Sequence, residues 1–69
     1  MTRMALIHYF KQDEFSEQPF DEIAEELAGV FRNTDGINTY RYLGIDPHPQ
    51  SDGTVRVYFE YEIEITDQA

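Results

Sequence analysis

The stretch from Thr54 to Thr66 constrains the fold more than any other part of the chain. Val55, Val57, Phe59, Tyr61, Ile63 and Ile65 fall on one side, and Arg56, Tyr58, Glu60, Glu62 and Glu64 on the other. A period of two belongs to an extended strand, whose successive side chains point to opposite faces. One face of this strand is wholly apolar and must be covered by the rest of the chain. The other is polar, with a tyrosine and an arginine among its carboxylates.

The cover is readable upstream. In Phe20 to Arg32, Phe20, Ile23, Ala24, Leu27 and Phe31 recur at the spacing of one helical stripe, with Asp21, Glu22, Glu25 and Glu26 opposite. The acids lie near the start and Arg32 near the end, as the helix dipole favours. Ser16 is a candidate cap and Pro19 is acceptable in the first turn, while Asn33-Thr34-Asp35-Gly36 supplies a stop. Met4 to Lys11 reads as a strand with Met4, Leu6 and Phe10 on one face and Ala5, Ile7 and Tyr9 on the other. Apolar residues on both faces predict cover on both. Ile37 to Asp46 reads as a further strand, joined to the last by residues 47–53, which end in an Asp-Gly turn signal.

The order is β-α-β-β. A helical crossover makes the first two strands parallel, and a hairpin returns the third antiparallel between them. The expected fold is α+β: one domain over residues 1–69, a three-stranded sheet in the order 1-3-2, and one helix packed on one face. Simple alternation puts Tyr40 and Tyr42 with Asn38 and Gly44, and Thr39, Arg41, Leu43 and Ile45 opposite. With the apolar set toward the helix, Tyr40 and Tyr42 join Tyr9, Arg56 and Tyr58 on an open outer face. Tyrosine has an apolar body and a polar tip and suits contacts, so these five residues are the candidate ligand or oligomer interface.

Size gives that face a purpose. A core in a chain below ~70–80 residues rarely supplies more than ~3–5 kcal/mol, so such chains lean on disulfides, metals or partner subunits. At 69 residues without a cysteine, this chain has no disulfide to use, and a homo-oligomer is expected. Charge narrows the other partners. Fourteen Asp and Glu against five Lys and Arg give a formal net charge of −9, which disfavours direct binding to nucleic acid or to an anionic membrane. An acidic surface keeps a small protein soluble, suits a cell of high internal salt, or imitates phosphates for a basic partner. Asp21, Glu22, Glu25 and Glu26 with Glu60, Glu62 and Glu64 form the candidate partner-binding acids, and Glu17 lies near them in sequence. Three like charges along one strand face predict arginines across the sheet or a basic partner. No apolar run approaches the ~20 residues that span a bilayer, and no export signal is apparent, so the expected location is the cytoplasm.

Catalytic and metal-binding patterns are sparse. His8 lies among core residues of a strand and is expected to be packed, and His48 stands between two prolines in a connection. Neither has metal-ligand spacing. Ser16 and Ser51 fit no nucleophile elbow, and four scattered glycines make no phosphate loop. The adjacent carboxylates lie on solvated faces that would not separate their pKa values. No enzymatic activity, metal or catalytic residue is expected.

The β-α-β-β order, the length, the helix entry Ser16-Glu17-Gln18-Pro19-Phe20-Asp21-Glu22, the passage Arg32-Asn33-Thr34-Asp35-Gly36-Ile37 and the strand ending Glu62-Ile63-Glu64-Ile65 resemble the dodecin family. The resemblance implies an oligomeric assembly that binds flavin. The family stacks the flavin on a tryptophan early in strand two and uses a glutamine in strand three. This sequence has no tryptophan, and Gly36 and Arg56 fall near those positions, so flavin binding is not carried over and Tyr40, Tyr42 and Arg56 are the nearest substitutes, for a ligand left open. Two functions follow as expectations. One is a small acidic binding protein, self-associating through its sheet in a dodecin-like ligand-binding or storage role. The other is an acidic DNA mimic that inhibits a basic nucleic-acid-binding protein, as some phage-encoded proteins do.

Overall fold

In the computed structural model, which describes residues 2–66, three antiparallel strands form one sheet with a helical layer on one face. The strands are β1 (Thr2–Lys11), β2 (Ile37–Pro49) and β3 (Thr54–Ile65). Their spatial order is β1-β3-β2, so the alternating strand is central, as its pattern requires. Two helical segments, α1 (Phe20–Leu27) and α2 (Gly29–Arg32), run on across Ala28 and occupy the span that the apolar stripe marks out.

The central strand alternates in burial as it does in sequence. Val55, Val57, Phe59, Tyr61 and Ile63 are buried beneath the helix together with Phe10, Ala24, Ala28 and Phe31. Ala24 and Ala28, each 1% exposed, keep the helix close to the sheet because each carries only a methyl group. Each buried Phe, Ile or Val contributes about 1.5–3 kcal/mol through the apolar surface it withdraws from water. At the helix entry Phe15 and Phe20 meet Phe10 at ring-centroid distances of 6.3 and 5.6 Å, and Phe20 lies 6.4 Å from Phe59. Ser16 sits in a 3-10 turn (Phe15–Glu17) and does not cap the helix. Pro19 takes the N-cap position with no side-chain cap bond.

β2 departs from simple alternation twice, and the departures decide which face its residues occupy. Ile37 is opposite Ile65, on the helix side. An irregularity between Ile37 and Thr39 then shifts the register, so Tyr40 and Tyr42 stand opposite Ile63 and Tyr61, also on the helix side. A second irregularity, between Tyr42 and Gly44, shifts it back: Gly44 faces outward with Glu60, and Ile45 faces inward with Phe59. Each bulge adds one residue to one strand and so reverses the facing of everything after it. Gly44 has φ +138°, a backbone conformation that side-chain-bearing residues rarely adopt. Tyr40 and Tyr42 are therefore not on the outer face, contrary to the alternation, and Leu43 is left exposed instead of packing on the helix.

β2 also continues through Pro47 and Pro49, past its expected end at Asp46. It is an edge strand, where a missing backbone donor is tolerated. The β2–β3 turn closes with Gln50 N donating to Thr54 O at 2.8 Å and Gly53 at φ +87°. On β1, Leu6 and Phe10 face the helix. His8 shares that face but is exposed rather than packed, its ring 4.7 Å from that of Phe10. Among the described residues the outward set Ala5, Ile7 and Tyr9 has no second layer over it, so the helix covers only one of the two faces of β1.

Candidate functional site

The open face is ordered by the register. Cross-strand partners share a side of an antiparallel sheet, so Tyr9, Arg56 and His48 form one row across the three strands, and Ile7, Tyr58 and Asp46 the next. Ala5, Glu60 and Gly44 follow, then Arg3, Glu62 and Arg41. Ile7 and Tyr9 are 52% and 55% exposed, so large apolar side chains stand in solvent at the middle of the face.

Arg56 ties one end together. Its Nε donates to the Tyr9 hydroxyl at 3.1 Å, Nη1 to the Tyr58 hydroxyl at 3.4 Å and Nη2 to Gln50 Oε1 at 3.3 Å. Its guanidinium carbon lies 5.8 Å from the centre of the Tyr9 ring, within reach of a cation–π attraction. Hydrogen bonds to Tyr58 and then Tyr9 raise the Arg56 pKa further above neutrality, so the group is a permanent cation. His48 packs edge-on against Tyr58 with ring centres 5.3 Å apart, and its Nε2 donates to Asp46 Oδ2 at 2.9 Å. Gln50 Nε2 donates to the His48 carbonyl at 2.8 Å.

The carboxylate row is largely answered from within the sheet. Arg41 Nη2 donates to Glu62 Oε1 at 2.9 Å, with Arg3 in register on the other side of Glu62. Asn38 Nδ2 donates to Glu64 Oε1 at 2.8 Å. Glu60 lies between the small residues Ala5 and Gly44.

Counting this face gives an unexpected balance. Arg3, Lys11, Arg41 and Arg56 lie on it, and so do Asp46, Glu60, Glu62 and Glu64. Four of the five cations in the chain are therefore matched by four carboxylates on one surface, and the formal −9 belongs to residues elsewhere. Much of that remainder lies on the helix layer, where Asp21, Glu22, Glu25 and Glu26 are exposed. The remaining cation, Arg32, donates to Glu25 Oε1 at 2.8 Å and to the Tyr40 hydroxyl at 2.7 Å.

The structure brings together three of the five residues expected at the interface: Tyr9, Arg56 and Tyr58. Tyr40 and Tyr42 are on the opposite side. The Tyr40 ring lies 5.8 Å from Phe31, and Tyr42 lies 5.6 Å from Tyr61. The expected set of acids is likewise divided, with Asp21, Glu22, Glu25 and Glu26 on one side of the sheet and Glu60, Glu62 and Glu64 on the other. Sequence reasoning does not find three further residues: Asp46 closes the expected strand, His48 follows in what reads as a connection, and Gln50 lies beyond Pro49, where β2 ends. The signal was present in the Asp46–His48 alternation that continues through the prolines.

The concavities are open and shallow. One of about 410 Å³ is lined by Pro19, Phe20, Asp21 and Glu22, and one of about 240 Å³ by Thr39, Tyr40, Arg41, Glu62 and Glu64. Among the described residues, no group of three metal-ligating side chains converges. No helix among the described residues is long and apolar enough to cross a membrane. No family model, curated protein or solved structure matches the chain at a significant level.

Proposed function

We propose that this chain is a small, non-enzymatic binding protein of the cytoplasm that self-associates through the outer face of its sheet. One observation carries the reading: the uncovered face is the charge-balanced one. A chain with net charge −9 repels its own copies, yet the surface bearing Ile7, Tyr9 and Tyr58 carries no net charge. Exposed aromatic and aliphatic area rimmed by balanced charges is the composition of a protein contact. A dodecin-like oligomeric binding or storage role is the specific form of this reading. Its ligand, whose identity the resemblance leaves open, would sit at Tyr9, Arg56 and Tyr58 rather than at Tyr40 or Tyr42. Sedimentation velocity over a wide concentration range is the test. Association is expected, with Ile7→Glu abolishing it by placing an unpaired carboxylate in the contact. A wild-type chain that stays monomeric throughout would overturn the reading.

The helix side favours a second reading. Its exposed acids at Asp21, Glu22, Glu25 and Glu26 suit a basic protein partner, as in a DNA mimic. Binding to such a partner should weaken as salt rises and on changing Glu22 and Glu26 to glutamine, while Ile7→Glu leaves it intact.

A further inference from the structure

Two neighbouring rows of the outer face differ in size. Ile7, Tyr58 and Asp46 stand beside Ala5, Glu60 and Gly44. At Gly44 the space a side chain would fill is open, with no atom within 4 Å. The large row and the small row meet between residues 58 and 60 of β3. One step beyond the large row is Arg56, whose hydrogen bonds go to the neutral acceptors of Tyr9, Tyr58 and Gln50. Among the described residues it makes no ion pair. One step beyond the small row is Glu62.

This arrangement is self-complementary in one sense only. A two-fold axis lying between two stacked sheets and crossing the strands at that boundary sets large rows on small rows, and Arg56 over Glu62 of the second copy, each twice. An axis running along the strands instead sets large on large, Arg56 on Arg56 and Glu62 on Glu62. A two-fold contact must be complementary to itself, and like charges facing each other oppose association. Resting on the self-association proposed above, we infer that the outer face takes a second copy of this chain with its strands antiparallel to the first. Tyr58 of each copy enters the space above Gly44 and Glu60 of the other, and Ile7 of each lies over Ala5.

Orientation is measurable apart from association. The chain has no cysteine, so Lys11→Cys provides a single attachment point for a nitroxide label at an outward-facing side chain that is 79% exposed. With the axis at the row boundary, two such labels are separated by roughly 35 Å along the strands. With strands parallel, β1 lies over β2 and the two labels are only roughly 14 Å apart, two strand spacings across and one sheet spacing through. A dipolar distance near the longer value is expected, and a short one overturns the antiparallel arrangement while leaving self-association standing. Sedimentation of the same labelled protein reports the prior question, and a strict monomer overturns both. Ala5→Tyr, at an exposed position, fills the small row and should raise the dimer dissociation constant at least about tenfold. An unchanged constant, with the circular dichroism of the native fold, overturns the inference.

Discussion

The Tyr61 hydroxyl donates to the backbone carbonyl of Ala24 at 2.6 Å in the buried core. One bond thus ties the middle of the central strand to the middle of the helix. The Ala24 carbonyl also accepts the Ala28 amide, so it serves both the helix and the sheet. Removing the hydroxyl leaves that carbonyl with one partner rather than none. Tyr61→Phe is therefore expected to cost about 1 kcal/mol, the net worth of a single hydrogen bond, seen as a lower urea midpoint with an unchanged slope.

The same burial gives an alkaline signature. Desolvation, with Tyr42 and Glu25 nearby, pushes the Tyr61 pKa up to about 12 from an ordinary value near 10. The neutral hydroxyl is the form that the fold accepts. Its contribution is complete below the unfolded-state pKa of ~10 and is lost as pH rises through the folded-state value. A titration followed at the tyrosinate absorbance should show a late-ionising fraction that includes Tyr61, with Tyr42 also raised by burial, together with loss of the far-ultraviolet signal. Tyr61→Phe should reduce the late step by the amplitude of one tyrosine.

Tyr42 and Ile7 separate folding from association. Tyr42 is half-buried against Phe59 and Tyr61, with ring centres 6.4 and 5.6 Å away. Truncation there opens space in the core, so Tyr42→Ser should cost about 2 kcal/mol or more of stability. Ile7→Glu should leave the unfolding midpoint of the monomer nearly unchanged and abolish the faster-sedimenting species. Chemical unfolding and sedimentation on both variants check the contrast, and an interchange of the two effects would assign the tyrosine to the contact.

Gly44 is held at φ +138° beside the second bulge of β2, with open space where a side chain would stand. Steric crowding is therefore not the obstacle to substitution; the backbone is. Gly44→Val should destabilise by roughly 1–3 kcal/mol, the range for a residue forced into a sparsely populated conformation, or else remove the bulge. Amide exchange of Tyr40 and Tyr42 distinguishes these, since loss of the bulge alters their pairing with Ile63 and Tyr61.

The fold was legible wherever one period ran unbroken. β3 alternates over its whole length, and the stripe from Phe20 to Phe31 fixes the helix and the face it covers. β2 was not legible by the same means, because Tyr40 and Tyr42 lie between two register shifts that turn their side chains over and back. Periodicity cannot see an inserted residue. The available warning was Gly44 itself, since a glycine inside a strand pattern often marks a bulge. Of the candidate site, Tyr9, Arg56 and Tyr58 followed from β1 and β3, which are regular. Asp46 closes the expected strand without standing out as a site residue, His48 stands between the two prolines that β2 runs through, and Gln50 lies just past the strand's end. The pairing of Arg41 with Glu62 was anticipated in kind, as an arginine expected across the sheet from the glutamate row.

The separation of charge between the two sides of the sheet limits the valence of the molecule. Once two outer faces are joined, the neutral surface is used up, and each end of the pair presents its helix layer with Asp21, Glu22, Glu25 and Glu26 outward. A third copy approaching either end meets charge of its own sign, at separations where ~0.15 M salt screens only beyond about 8 Å. The self-association proposed for this face would thereby stop at two copies, with the acidic helices as its terminators.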